Sequence, residues 1–238
     1  MSPTRPPTAT SRPATPRSEA ELRARAEALA GHDLGALADA LGVVIPGDPR
    51  RTKGKWGELL ERALGATAGS RSEPDFPHLG VELKTVPMRA DGRAIESTYV
   101  CRIDLARAEE LEWETSAARR KLLRVLWIPL LAADADWRRR RIGTPRLWSP
   151  TPEQEAALRT DFDEIIGALA TGRVEEITAR WGRVMQVRPK AATGKKTFVT
   201  TTADGDLVAT VPKGFYLRAR FVSALIADPR ALVATSPR

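Results

Sequence analysis

Residues 74–85 combine a bend with a charged strand, and this combination most constrains how the chain can fold. In residues 81–86 the charged Glu82 and Lys84 alternate with apolar or neutral side chains. Such a period of two is typical of a half-buried β-strand. On a strand Glu82 and Lys84 point to the same face, about 7 Å apart. The pattern therefore predicts a carboxylate and an ammonium group side by side on a rigid element.

A second carboxylate, Asp75, lies seven residues upstream of Glu82, across a bend formed by residues 76–80. A hairpin-like return of the chain would bring Asp75 beside Glu82. Two converging carboxylates suit a hard divalent cation such as Mg²⁺, and Lys84 can hold or help to deprotonate a water bound there. The alternative is a solvated strand face with a simple salt bridge, because this pattern also arises by chance.

The composition excludes several kinds of chemistry. Cys101 is the single cysteine among 238 residues, so the chain has no internal disulfide and no thiolate zinc cage. Only His32 and His78 are available for transition-metal binding or a Ser-His-Asp triad. Hydrolytic chemistry in this chain should therefore use carboxylates, lysine and a hard metal.

The formal net charge of +8 is concentrated at one end of the sequence. Residues 178–238 hold eleven Lys or Arg against three Asp or Glu, and the rest of the chain is balanced. This asymmetry predicts that a polyanion binds there. The alternative is a generally arginine-rich composition.

The N-terminal residues 1–17 contain five prolines, three arginines and no acid. That composition predicts a disordered tail and contains no apolar core of a secretory signal. The longest apolar run, residues 125–133, includes Pro129 and is too short to cross a bilayer. We expect a soluble cytoplasmic protein with one domain over residues 18–238.

Helical and strand patterns alternate along that domain, which predicts an α/β fold. We expect helices at residues 18–30, 34–41, 56–64, 152–170, 174–181 and 220–226, and strands at 81–86, 97–103, 122–130, 184–187 and 207–211. Glu61 lies beside the apolar stripe of the third helix, where it would either face solvent or join Asp75 and Glu82. The preceding basic loop at residues 47–55 suits a phosphate backbone.

Four separated motifs carry a resemblance to a known family. They are LLERALGATAGSRSEPDFPHLGVELKT, WETSAARRKLLRVLWIP, VRPKAA and PKGFYLRARFVSALIA. In this order, within residues 18–227, they closely resemble the MutH family of strand-directed mismatch-repair endonucleases. That family is related to the restriction enzymes that recognise GATC.

The resemblance implies a restriction-endonuclease-like fold, with a central mixed β-sheet flanked by helices and two lobes that form a DNA cleft. It places catalytic roles on Glu61, Asp75, Glu82, Lys84 and Lys121. The carboxylates of Asp75 and Glu82, with the Leu83 carbonyl, would then hold Mg²⁺ at the scissile phosphate.

The resemblance also implies a set of DNA-binding residues. The base-recognition loop falls on Arg188, Pro189 and Lys190, and Tyr216 falls where the family senses the adenine methyl group. Lys53 corresponds to a loop lysine near DNA, and Tyr99 to an aromatic side chain that inserts into a groove. Alternatively, Lys190 and Lys213 anchor phosphates only, and Tyr216 is a core aromatic residue.

The function implied by this resemblance is Mg²⁺-dependent nicking of the unmethylated strand at hemimethylated GATC sites. The enzyme would act as a monomer on double-stranded DNA and be activated by the repair protein MutL. The first alternative is a type II restriction enzyme that cuts both strands as a dimer. A second alternative is a DNA-binding module without catalysis.

Overall fold

A computed structural model describes most of the chain in two compact units. The described residues are 13–45, 54–69, 71–132, 136–173, 177, 181–190, 198–201 and 207–232. The first unit comprises Met1–Ile95 and Arg124–Trp148, and the second comprises Glu96–Leu123 and Ser149–Arg238. The basic loop with Lys53 and most of the helix predicted at residues 174–181 lie outside the described residues.

The described residues of the first unit form three α-helices and a mixed β-sheet. The helices are α1 (Glu19–Leu29), α2 (Leu34–Ala40) and α3 (Lys55–Leu64), and the strands are β1 (Glu82–Met88), β3 (Val125–Leu131), β4 (Arg141–Ile142) and β5 (Arg146–Trp148). Strand β1 pairs with β3 in parallel, from Glu82 opposite Val125 to Met88 opposite Leu131. Strands β4 and β5 pair with β3 in antiparallel fashion. The prediction of a mixed sheet with helices is confirmed.

Capping side chains and glycines set the ends of helices in the first unit. Ser18 caps α1, because its hydroxyl accepts the N–H of Glu21 at 3.2 Å. Helix α3 ends at Gly65 in the left-handed region, with φ 81°, where a side chain is disfavoured. A Cβ atom at Gly65 would also lie 2.8 Å from the carbonyl oxygen of Ala14. Glycine is therefore required at this position.

The core of the first unit forms between these helices and the sheet. Strand β3 is buried over all of its residues except Leu131, as the apolar run predicts for a central strand. The buried apolar side chains of this core include Leu22, Leu34, Leu59, Leu60, Phe76, Val81, Leu126, Ile128 and Ile142. The helices thus cover the strand that carries the Glu-x-Lys pattern.

The prediction that β1 is half-buried is wrong. Val81 and Leu83 are buried, but so is Glu82, which is only 2% exposed. Period-two alternation predicts one wet face only when nothing covers that face. Here the charged face of β1 is covered as well, so Glu82 lies within the protein.

Residues 13–17 make specific contacts, so the predicted disordered tail does not extend through them. Arg25 donates a hydrogen bond to the Ala14 carbonyl. The Nε2 atom of His78 lies 2.7 Å from the carbonyl oxygen of Pro16. Because a carbonyl only accepts, His78 carries its proton on Nε2. The end of this segment is therefore held to helix α1 and to the bend at residues 76–80.

Where the structure describes it, the second unit forms an antiparallel sheet, a two-stranded ribbon and three α-helices. Its strands are β2 (Thr98–Arg102), β6 (Met185–Pro189), β7 (Phe198–Thr201), β8 (Leu207–Thr210) and β9 (Lys213–Leu217), and its helices are α4 (Ala117–Leu122), α5 (Pro152–Ala170) and α6 (Ala219–Ala227). The sheet has the order β2-β9-β6, and β7 pairs with β8. Phe162 of α5 stacks on Phe215 of β9 at 5.2 Å, which packs the helix on the sheet.

Helix α5 has the predicted bounds of residues 152–170, and its first turn explains them. Thr151 and Gln154 form a reciprocal capping box, and Pro152 occupies the first turn. The buried Gln154 also donates to the carbonyls of Pro229 and Ala231, at 3.1 and 2.8 Å. The cap of α5 therefore also holds residues 229–231.

Asp161, also on α5, fixes the start of β6. Its buried carboxylate accepts the backbone N–H groups of Arg183, Val184 and Met185, each at 2.7 Å. The adjacent Gly182 has φ 78°, and a Cβ there would lie 1.8 Å from the Met185 carbonyl oxygen. This tight turn aligns the strand that ends at Arg188 and Pro189.

No helix in the described ranges is long and apolar enough to cross a membrane.

Candidate functional site

The bend at residues 76–80 brings Asp75 next to β1, as the sequence predicts. Phe76 and Val81 form an antiparallel bridge, with the N–H of Phe76 donating to the Val81 carbonyl at 2.9 Å. The Asp75 carboxylate then accepts the N–H of Leu83 at 2.8 Å. Asp75 is itself buried. Two carboxylates, those of Asp75 and Glu82, therefore lie at the beginning of one strand.

Glu82 and Lys84 form a close ion pair on β1. The Nζ atom of Lys84 lies 2.6 Å from Oε1 of Glu82, and the two side chains are 12% and 3% exposed. Water is largely excluded from this pair, so its charges interact more strongly than those of a surface pair. The alternative of a solvated strand face is therefore wrong.

Glu61 joins these side chains from helix α3 and does not face solvent alone. Burial raises the pKa of its carboxyl to about 7, and the charges of Asp75, Glu58 and Glu82 add to the rise, while Lys84 opposes it. A Cβ atom at Gly57 would lie 3.9 Å from both Oε1 of Glu61 and Oγ1 of Thr85. The Glu61 carboxyl thus lies on the helical face that meets β1, and its membership of the site stays a prediction.

The acids of this site carry carboxylate oxygens, which are the ligands that a hard cation prefers. These acids are Asp75, Glu82 and Glu61; burial is the main cause of the raised pKa of Glu61, and the charges of Asp75, Glu58 and Glu82 add to the rise. Within the described residues no group of three or more His, Cys, Asp or Glu side chains is arranged as a metal cage. The Lys84 ammonium group lies against Glu82, and the Leu83 N–H lies against Asp75. Binding of Mg²⁺ by Asp75, Glu82 and the Leu83 carbonyl therefore stays a prediction.

Lys121 belongs to the second unit, where it lies in the last turn of α4 and is half-buried. Ser116 caps this short helix by accepting the N–H of Arg119 at 3.0 Å. The catalytic role of Lys121 stays a prediction, as does the DNA contact of Lys53.

Four of the predicted DNA-binding residues of the second unit form a compact cluster on the β2-β9-β6 sheet. The Nζ atom of Lys190 lies 3.6 Å from the centroid of the Tyr99 ring. The rings of Tyr99 and Tyr216 meet edge-to-face at 5.3 Å, and the Arg188 guanidinium lies 6.0 Å from the Tyr216 ring centroid. We call Tyr99, Arg188, Lys190 and Tyr216 the aromatic–cation cluster. Cation–π contacts hold both basic side chains against the rings.

Glycine at position 214 lets the two rings of this cluster approach. A Cβ atom there would lie 2.9 Å from Cε2 of Tyr99 and 3.0 Å from the carbonyl oxygen of Cys101. Gly214 pairs with Arg188 in β6 and with Arg102 in β2. The absence of a side chain at Gly214 therefore leaves space on the sheet, and the rings of Tyr99 and Tyr216 occupy it.

Tyr216 is half-buried and lies beside the exposed Arg188, so it is not a fully buried core residue. Burial raises the pKa of its phenol, with Arg188 opposing and Glu96 adding to the rise. The phenol is therefore protonated near neutral pH and offers an O–H donor. Pro189 and Lys190 are exposed next to it. Lys213 is instead buried, a placement that does not favour a phosphate anchor.

Comparison with known proteins decides the family. Residues 64–161 match the family described as DNA mismatch repair enzyme MutH. The DNA mismatch repair protein MutH of Klebsiella pneumoniae (strain 342) is 47% identical over 219 residues, which cover 89% of this chain and 92% of that protein. The chain belongs to the MutH family.

Other MutH proteins match over similar spans. The protein of Escherichia coli O6:K15:H31 is 46% identical over 213 residues, covering 89% of this chain and 93% of its own length. That of Shewanella amazonensis is 47% identical over 215 residues, covering 90% and 96%. As a MutH-family member the chain is a nuclease with a restriction-endonuclease-like α/β fold. The alternative of a binding module without catalysis is therefore set aside.

The structure also reveals residues around the aromatic–cation cluster that the sequence did not indicate. Ser97 contacts Arg188, Gly214 lies beneath the rings, and Asp161 aligns the strand that carries Arg188. The sequence does contain an indication of Asp161, because an acid between the apolar Leu158 and Phe162 on a helix needs hydrogen-bond partners when it is buried. It contains none for Ser97 and Gly214, since their contacts join strands distant in sequence.

Proposed function

We propose that this MutH-family enzyme nicks the unmethylated strand of hemimethylated GATC sites in double-stranded DNA, by Mg²⁺-dependent hydrolysis. The observation that carries the proposal is the convergence of Asp75, Glu82 and Lys84 at the beginning of β1, with Glu61 facing them from α3. A binding protein would gain nothing from buried acids at this position, because carboxylates repel DNA phosphates.

Asp75, Glu82 and the Leu83 carbonyl are the groups that would hold Mg²⁺. When bound, the ion supplies positive charge for the scissile phosphate and lowers the pKa of the attacking water. The chain's own residues then orient the reaction. Lys84 holds the water that attacks phosphorus, and Glu82 keeps the Lys84 ammonium group in place through their 2.6 Å contact. Lys121 is proposed as a further catalytic lysine.

The aromatic–cation cluster would read the sequence. Arg188 is exposed at the end of β6, and a guanidinium there can bind guanine O6 and N7 with two hydrogen bonds. Tyr216 would face the adenine and sense its methyl group, while Tyr99 inserts into a groove. Pro189 and Lys190 continue this surface, and Lys53 would serve the DNA backbone.

We further propose that the enzyme acts in the cytoplasm as a monomer and is recruited and activated by MutL. The relatives in Klebsiella, Escherichia and Shewanella are DNA mismatch repair proteins, and strand-directed repair requires a nick in one strand only. A monomer carries one such site.

Cleavage of matched duplexes tests this proposal. Unmethylated, hemimethylated and fully methylated GATC duplexes are incubated with Mg²⁺, with Ca²⁺ or with EDTA, and each strand carries its own label. We expect Mg²⁺-dependent nicking of the unmethylated strand alone, and no nicking by Glu82→Ala or Asp75→Ala. Glu73→Ala is a matched control, because Glu73 pairs with Arg71 at the surface, at 2.6 Å. Wild-type activity in Glu82→Ala would refute the site, and linear product from a dimer would identify a restriction enzyme.

A further inference from the structure

Ser97 makes a contact that the proposed function does not use. It lies directly before β2, and its hydroxyl accepts a hydrogen bond from Nη1 of Arg188 at 2.6 Å. Ser97 is half-buried, whereas Arg188 is exposed. The contact therefore fixes the end of an otherwise solvent-exposed side chain.

The sheet register shows how far the Arg188 side chain is drawn across the sheet. The backbone of Arg188 lies opposite Gly214, which in turn lies opposite Arg102 at the far end of β2. Ser97 precedes Thr98, at the other end of β2, which pairs with Leu217. The side chain thus runs back over the sheet toward the beginning of β2 and passes the ring of Tyr216. A free arginine at the end of a strand would not keep this direction.

Two contacts together restrict the Arg188 guanidinium. The Tyr216 ring sets the surface over which it lies, and the Ser97 hydroxyl fixes one end of its plane. The bond to Ser97 uses one N–H of Nη1, and a guanidinium has five N–H donors in a rigid planar fork. The remaining donors include those needed to bind the two acceptors of a guanine.

We propose that Ser97 is a positioning residue for sequence recognition, which holds the Arg188 guanidinium over Tyr216 before DNA binds. This inference rests on the proposed base-reading role of Arg188. Ordering a long side chain at the moment of binding weakens affinity. A side chain already restricted by Ser97 avoids part of that loss, but only on DNA that offers the matching guanine. Ser97 therefore contributes to specificity more than to general DNA affinity.

Equilibrium binding without divalent metal tests this role, because cleavage then does not interfere. The probes are a GATC duplex, a duplex of scrambled sequence, and a GATC duplex in which 7-deazaguanine removes the N7 acceptor. For Ser97→Ala we expect binding to GATC weakened by about three- to tenfold, with little change on the scrambled duplex. The penalty for 7-deazaguanine should shrink as well.

Three further variants separate positioning from a structural effect. Ser97→Thr keeps the hydroxyl and should restore specificity. Ser149→Ala is the matched control, since it removes another hydroxyl of the second unit, one that donates to the Leu123 carbonyl at 2.7 Å. In an Arg188→Ala background, Ser97→Ala should have no additional effect on the preference for GATC.

The outcomes distinguish this inference from the proposed function. Equal weakening on the GATC and scrambled duplexes, or an unchanged Ser97→Ala effect without Arg188, would overturn the positioning role. If Arg188→Ala abolishes the preference but Ser97→Ala preserves it, Ser97 is not a positioning residue and Arg188 still reads bases. If Arg188→Ala itself preserves the preference, base reading by Arg188 fails, and the role of Ser97 fails with it. None of these results depends on Mg²⁺-dependent nicking.

Discussion

Glu61 shows how a cluster of acids destabilises the fold that carries it. Its carboxyl is half-buried and faces Asp75, Glu58 and Glu82, so the pKa of Glu61 rises to about 7. In the unfolded chain this carboxyl titrates near 4.5. The folded state therefore holds a proton that the unfolded state has lost between these two pH values. Since the folded state binds more protons there, stability falls as the pH rises from 4.5 through 7.

Glu61→Gln should remove this pH dependence in the metal-free enzyme. The amide carries no charge, so the variant should be more stable than wild type at pH 8 by about 1–2 kcal/mol, a value reduced from the full shift because solvent screens a half-buried group. At pH 4.5 the difference should largely vanish. Urea unfolding in EDTA at both pH values measures this difference in stability. In a separate assay with Mg²⁺, the variant should not nick DNA.

Glu58→Gln is the control for the Glu61 experiment. Glu58 lies in the first turn of the same helix and pairs with Lys55 at 2.6 Å, with its side chain 60% exposed. Its loss should change stability only slightly, because exposed ion pairs contribute little. A Glu61→Gln effect of the same size at pH 4.5 and pH 8 would contradict the electrostatic explanation.

At this scale the sequence predicted which acids converge but not their environment. The spacing of Asp75 and Glu82 indicated a bend and a strand, and both exist, because a bridge between Phe76 and Val81 is a local contact. The burial of Glu82 and the direction of Glu61 depend on packing between elements that are separate in the sequence. That packing is a tertiary property, and no local pattern encodes it.

At the scale of elements, the predictions succeeded where the start and stop signals are local. Helix α5 has the predicted bounds because Thr151, Pro152 and Gln154 form its cap. Helices α1 and α3 end near their glycines, as predicted. The pairing of β9 between β2 and β6 was not predictable, since it joins strands separated by many residues. The aromatic–cation cluster depends on that pairing.

Asp161 connects two of these elements, and its loss should weaken the second unit. Asp161→Asn keeps the size of the side chain but replaces a carboxylate oxygen with an amide donor that faces backbone N–H groups. Three N–H bonds to a buried charged acceptor are altered, and we expect a loss of about 2–4 kcal/mol. Urea denaturation measures it. Asp163→Asn, at an exposed position of the same helix, should be nearly neutral, and equal losses in both variants would contradict the assignment.

At the scale of the whole molecule, two features of the sequence bear on binding and on the candidate acidic site. The excess positive charge falls within residues 178–238, the part of the chain that includes Arg188, Lys190 and Lys213. Part of the N-terminal segment, which has the composition of a disordered tail, instead contacts the bend at residues 76–80 through Pro16 and His78. The excess positive charge is visible in the composition. The contact between His78 and Pro16 is not, because a single hydrogen bond to a backbone carbonyl does not depend on the composition of the segment.

The contact between His78 and Pro16 should stabilise the bend that places Asp75 beside Glu82. His78 stands in the bend that joins Asp75 to Glu82, so His78→Ala frees that bend from residues 13–17 and leaves the Pro16 carbonyl without its donor. We expect a loss of about 1 kcal/mol in stability and a severalfold weaker affinity for Mg²⁺, measured by calorimetry. His78→Gln retains an N–H donor and should recover much of both. His32→Ala controls for loss of an imidazole elsewhere in the first unit, and a Mg²⁺ affinity unchanged in His78→Ala would show that the bend holds its shape without the N-terminal segment.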